Sequence, residues 1–167
     1  YRIRARAPIT TRFEARAQRG LAPFVGRQAE IRILERGLHD VMAGQPRYLA
    51  ISAPPGVGKT RLAEEFLGRA ASRNCQIHRG YCESYLSAEP LQPFLQILKS
   101  LFRLDHGMST ALAAEAIERT LAELDPDLLV HRAELLRALA LSTHEAGGGD
   151  TRRPAEENTI AALRDLF

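Results

Sequence analysis

The sequence predicts an α/β fold, with parallel strands flanked by helices and a C-terminal half rich in helix. Residues 48–52 form an apolar run that could be a buried strand, and this run ends in a loop rich in proline and glycine. A helical pattern begins directly after the loop, and residues 76–81 have the composition of a second strand. A strand, a crossover helix and another strand in this order imply parallel pairing in a right-handed unit.

Composition narrows the class of protein. The chain has 167 residues, of which 45% are apolar and 26% charged, as in an ordinary soluble globular domain. Cys75 and Cys82 have no second cysteine pair and no histidine cluster beside them, so neither a disulfide framework nor a zinc site is predicted. No apolar run approaches the ~20 residues of a membrane span, and no signal-peptide core is present. These features predict a cytoplasmic protein with no membrane partner.

Residues 1–20 are predicted to be a basic linker segment. The first 36 residues hold nine arginines against three glutamates, a balance of +6. Such an arm could contact nucleic acid or anionic lipid. No known nucleic-acid-binding module accompanies it, so a solvated linker is favoured and nucleic acid is not expected as a partner. Thr10 or Thr11 could cap a short helix that Gly20 closes.

A first long helix is predicted from about Gln28 to Met42, after an apolar turn at 21–27, and Gly44 ends it. Its predicted buried residues share one helical stripe: Ile31, Leu34, Leu38, Val41 and Met42.

The loop after the first predicted strand has the composition of a phosphate-binding loop. Its sequence is Ala53-Pro54-Pro55-Gly56-Val57-Gly58-Lys59-Thr60. Wrapping a polyphosphate needs successive backbone N–H groups to point into one concavity, and glycine permits the dihedral angles that this requires. The usual pattern opens with glycine, whereas this chain has Ala53 at that place. A strand before the loop and a helix after it are the context that such a loop needs.

Each polar residue of the loop has a predicted role. Lys59 can reach the β- and γ-phosphates and is the candidate catalytic residue, and the Thr60 hydroxyl can ligate Mg²⁺. The predicted cofactors are therefore ATP or ADP with Mg²⁺. The helix that follows carries its apolar residues at helical spacing: Leu62, Ala63, Phe66, Leu67 and Ala70.

The rest of the chain predicts four helical segments. The first has its apolar face on Leu91, Phe94, Leu95, Leu98, Leu101 and Phe102. The second ends before Asp125-Pro126 and carries Ala113, Ala116, Ile117, Leu121 and Leu124. The third carries Leu128, Leu135, Leu136 and Leu139, and the last runs from about Ala155 to Phe167 with Ile160 and Leu163. A glycine-rich break between His144 and Pro154 separates the last two. These stripes indicate core packing.

Efficient hydrolysis needs an apolar strand that ends in an acidic residue, the Walker B element. The run Leu128-Leu129-Val130 ends in His131, and the run 138–141 ends in Ser142. Residues 21–167 are therefore expected to form the N-terminal part of a P-loop ATPase domain, truncated before Walker B, with the acid shortly after Phe167. Such a segment is expected to bind nucleotide without hydrolysing it efficiently.

Two separated stretches resemble a known family. The segment from Phe24 to Ile31 and the run from Ala53 to Leu62 are similar to the AAA-like ATPase domains of bacterial signalling proteins, the STAND class of P-loop NTPases. Residues 11–21 and 83–94 look more specifically like the ATPase region that follows class III adenylate or guanylate cyclase domains. The resemblance implies a cyclase or another regulatory domain in cis.

It also implies a set of nucleotide-binding residues. Val25, Gly26 and Arg27 match positions that line the adenine and ribose side of the pocket in this family. With the loop they complete the candidate cofactor-binding set: Val25, Gly26, Arg27, Ala53, Pro54, Pro55, Gly56, Val57, Gly58, Lys59, Thr60 and Arg61.

Three functions follow as hypotheses. The leading one is an ATP- or ADP-binding module of a regulatory signalling ATPase. The second is a small-molecule or nucleoside kinase, although more than 50 residues precede the loop here, whereas kinases commonly begin close to it. The third is a protein-interaction domain with a vestigial P-loop.

Overall fold

The computed structural model describes residues 17, 20–82, 91–105, 107–141 and 152–166. Over these residues the elements are helical. They are α1 (Gln28–Met42), α2 (Lys59–Ala71), α3 (Gln92–Leu101), α4 (Thr110–Leu124), a 3₁₀ helix (Pro126–His131), α5 (Arg132–Leu141) and α6 (Arg152–Leu166). The interpretations of residues 1–16 and 83–90 lie outside the described residues, as does the predicted 144–154 break up to residue 151, whereas α6 already begins at Arg152. The division at residue 20 stays a prediction.

The predicted α/β class is wrong for the described part of the chain, which contains no strand and no sheet. Residues 48–52 and 76–81 form no ladder, so the predicted parallel pairing is absent there. A strand is stabilised by the partners that take up its backbone groups and cover its faces. Without them the apolar residues of the first run stay in solvent, since Tyr48 is 86% exposed and Leu49 is 49% exposed.

The helix predictions from residue 28 onward are confirmed, including the bounds of α1 and the end of α4 before Asp125, except that the segment with Leu128 begins as a 3₁₀ helix. Five residues predicted to be buried are exposed instead: Val41, Met42, Phe94, Leu124 and Ile160. Val41 and Met42 lie in the last turn of α1, beyond the part that packs on α2.

The chain divides into two compact units at the Ile77–His78 bond. In the first unit α1 packs against α2 through Ile31, Leu34 and Leu62, and Phe24 and Phe66 pack on this cluster. In the second unit the remaining helices enclose a larger core, built around these buried residues: Leu95, Leu98, Phe102, Ile117, Leu121, Leu135, Leu139, Ala162 and Leu163. The candidate site belongs to the first unit. Among the described helices, none has the length and apolar character that crossing a bilayer requires.

Candidate nucleotide-binding site

The backbone of the loop depends on its two glycines. Gly56 has φ +81° and Gly58 has φ +89°, both in the left-handed region, and Gly58 is the residue that precedes α2. A side chain at either position would meet no atom within 4 Å, so the need for glycine is conformational and not steric crowding. Val57 lies between these two hinges.

The N–H groups of Lys59 and Thr60 belong to the first turn of α2, where the helix has no internal acceptor to offer. Directly before them, Pro55 and Gly56 form a turn of the loop. Donors at a helix N-terminus form a favourable place for an anion, because the helix dipole adds a partial positive charge there.

The Lys59 ammonium folds back over the start of its own loop. Its Nζ donates hydrogen bonds to the carbonyl oxygens of Ala53 at 2.6 Å and Pro54 at 2.9 Å. An ammonium group has three donors, so one remains for another acceptor. The two contacts keep a positive charge close to the N–H groups of the first turn of α2.

These contacts also explain why alanine is compatible with the first loop position. Ala53 contributes a backbone carbonyl, which any residue would supply. Its φ is not positive, so its methyl group imposes no left-handed strain. Pro55 and Gly56 then form the turn that leads to Val57.

The turn before α1 lies against the loop, although it is 30 residues away in the sequence. Gly26 and Arg27 have φ values of +74° and +56°, and one Nη of Arg27 donates to the Val57 carbonyl oxygen at 2.6 Å. Arg61, at the start of α2, donates to the carbonyl of Ala22 at 3.3 Å. The structure thus brings Arg27 to the loop, and Val25 and Gly26 directly precede it in the chain. Val25 is 80% exposed, so its side chain is open to a ligand.

An ion pair on the surface joins the two helices that hold this arrangement. Arg69 of α2 bonds Glu35 of α1 at 3.0 Å and Glu65 of its own helix at 3.5 Å. The hydrogen bond to Glu35 raises the pKa of the Arg69 guanidinium above its already high value. Arg69 therefore remains charged throughout the working pH range, and we expect the pair to respond to salt.

The Thr60 side chain is exposed on the first turn of α2, as a metal-binding hydroxyl would need. Among the residues that the structure describes, no three His, Cys, Asp or Glu side chains group as metal ligands. A Mg²⁺ ion at Thr60 would therefore take phosphate oxygens and water as most of its ligands, which is usual for Mg²⁺ on nucleotides. One further apolar run, 111–114, is followed by Glu115, but it lies within α4 and forms no strand end.

The sequence did not predict the contacts that join the segment before α1 to the phosphate loop and the start of α2. No pattern around Arg27 indicates that its guanidinium reaches Val57, and none around Arg61 indicates Ala22 as its acceptor. A left-handed residue directly before a helix is a local feature, but its side-chain partner depends on how α1 packs on α2.

A glycine-hinged loop that opens into a helix through Gly58, Lys59 and Thr60 defines the class of P-loop proteins. Comparison with protein families identifies the family within this class. Residues 23–166 match the AAA ATPase domain, so the chain belongs to that family. Searches of curated proteins and of solved structures returned no match. Membership makes this chain a P-loop ATPase-type module and implies nucleotide binding.

Proposed function

We propose that the chain binds ATP and ADP with Mg²⁺ and serves as the nucleotide-binding module of a regulatory signalling ATPase. The observation that carries this proposal is the glycine-hinged loop that leads into the N-terminus of α2, where the N–H groups of Lys59 and Thr60 lie beside the Lys59 ammonium. The oxygens of one polyphosphate can accept hydrogen bonds from all of these donors at the same time.

The roles of the residues follow from their positions. The N–H groups of Gly56, Val57 and Gly58 bind phosphate oxygens, and Lys59 neutralises the charge on the β- and γ-phosphates. Thr60 ligates Mg²⁺. Val25 and Gly26 lie on the base and ribose side, and the exposed Val25 offers an apolar surface to adenine.

The regulatory role rests on the same chemistry. ATP and ADP differ by the γ-phosphate, so a module that contacts this group differently in two states changes its conformation with the bound nucleotide. The proposed output is a nucleotidyl cyclase or another regulatory domain in cis, on the resemblance of residues 11–21 to the segment that follows cyclase domains. The proposed location is the cytoplasm, in keeping with the free thiols of Cys75 and Cys82.

Calorimetric titration with Mg·ATP and Mg·ADP tests the proposal. We expect saturable heat that Lys59→Ala abolishes and that Lys99→Ala leaves unchanged, because these are the two lysines of the chain and only Lys59 lies in the loop. Absence of heat, or equal effects of the two substitutions, would refute nucleotide binding at this loop. Reading the gene upstream of Tyr1 tests the cyclase proposal separately, and a gene with no cyclase domain there removes it.

A further inference from the structure

The contact between Arg27 and Val57 points to a role for Arg27 on the loop itself. We propose, on the basis of the function above, that Arg27 is a positioning residue. Its guanidinium orients the phosphate-binding backbone through the Val57 carbonyl and does not act by binding the base or ribose. The supporting contact is a 2.6 Å hydrogen bond from a charged guanidinium to a carbonyl oxygen, and a charged donor makes a stronger hydrogen bond than a neutral one.

Peptide geometry explains how one carbonyl can control an anion-binding N–H. The peptide between Val57 and Gly58 is planar and trans, so its C=O and N–H point in opposite directions. Holding the Val57 oxygen therefore fixes the direction of the Gly58 N–H. The plane of this peptide turns about ψ of Val57 and φ of Gly58, and glycine at 58, in the left-handed region, gives the second of these angles a wide range. Without an external restraint the plane could rotate and turn the donor away from the phosphate.

Arg27 is well anchored for this task. Its carbonyl accepts the first hydrogen bond of α1 from the Ile31 N–H at 3.0 Å, and Ile31 is buried in the core of this unit. Glu30 holds the other side of the guanidinium, with an Nη–Oε distance of 3.8 Å. The base of the side chain is thus connected to the α1–α2 core, and its tip is connected to the peptide that precedes Gly58.

Two measurements on the 167-residue chain test this role, with Arg27→Gln as the variant. The first is the NMR order parameter of the Gly58 N–H without any ligand. We expect it to fall from about 0.85, the value of a rigid backbone, to below about 0.6 in the variant, because nothing then holds the Val57 oxygen. The second is affinity for Mg·ATP and for Mg·tripolyphosphate, which has no base or ribose. We expect both affinities to fall by the same factor, about tenfold, the effect of losing one hydrogen bond.

Arg32→Gln is the matched control, because Arg32 is an exposed arginine on α1, and it should change neither measurement. Circular dichroism should show the same helix content in all variants. A loss of affinity for ATP alone would overturn the proposal and place Arg27 on the base or ribose. An unchanged Gly58 order parameter in the empty protein would also overturn it, because an effect on affinity would then come from direct attraction to phosphate.

The Lys59→Ala variant separates this proposal from the proposed function. If wild-type protein binds both ligands and Lys59→Ala binds neither, the site stands and the Arg27 data decide the role of that residue alone. If the wild-type protein binds neither ligand, the proposed function and the positioning role both fail.

Discussion

The small core of the first unit predicts that one buried leucine supports both stability and ligand binding. Leu62 is 2% exposed and packs with Ile31 and Leu34, two residues beyond Thr60. Leu62→Ala removes three carbon atoms, worth about 0.8 kcal/mol each in transfer free energy, and leaves a cavity. Phe24 and Phe66 are only partly buried and can move to fill part of that cavity. We therefore expect a loss of about 3 kcal/mol, near the low end for buried leucines.

Hydrogen exchange of residues 28–42 and 59–71 measures this loss, and about 3 kcal/mol corresponds to a roughly hundredfold rise in exchange of the slowest amides. Because Leu62 fixes α2 on α1, Mg·ATP affinity should fall in the same variant although Leu62 does not reach the loop surface. Leu112→Ala is the matched control, since Leu112 is 56% exposed on α4. A Leu62→Ala loss no larger than the about 0.5 kcal/mol typical of exposed positions would refute the argument that this core holds the loop.

Three further substitutions test single features of the fold. Gly58→Ala should lower nucleotide affinity and cost about 1 kcal/mol or more, because φ there is +89°, whereas Gly68→Ala in the middle of α2 should stabilise by up to about 1 kcal/mol in thermal unfolding. Gly80→Ala should cost about 1–3 kcal/mol in urea unfolding, because the added methyl group would fall on the backbone of Pro93; an unchanged midpoint would contradict this packing. Ser109→Ala should cost about 1 kcal/mol by removing the N-cap of α4, and Ser109→Asp should retain most of the stability.

The helices could be predicted from the sequence because the information for them is local. The period of apolar residues, Gly44 after α1 and Asp125-Pro126 after α4 each act within a few residues. Exposure was harder to predict. Val41 and Met42 continue the apolar stripe of α1, but the short cluster with α2 ends before it reaches them. A stripe predicts which face can be buried, and the partner decides how much of it is buried.

The two runs interpreted as strands, 48–52 and 76–81, depend on information that is not local. An apolar run such as 48–52 is compatible with a strand, but a strand exists only as part of a ladder, and its partners are remote in sequence. The described residues supply no ladder for it. The run still makes one close contact, since a side-chain carbon of Leu49 lies 2.7 Å from the place that a Cβ on Gly37 would take. Gly37 therefore allows the extended segment to approach α1, a pairing of helix with irregular chain that no periodicity predicts.

The candidate site also has one part that the sequence predicts and one part that depends on packing. The residues from Ala53 to Thr60 are contiguous, so their glycines and lysine predict a phosphate loop without any knowledge of packing. The orientation of the peptide after Val57 depends on a guanidinium 30 residues earlier, which reaches it only when α1 packs on α2. A loop sequence identical to this one, placed beside a different first helix, would keep its glycine hinges and lose the restraint between them. Affinity for phosphate should therefore depend on the α1–α2 core as well as on the motif.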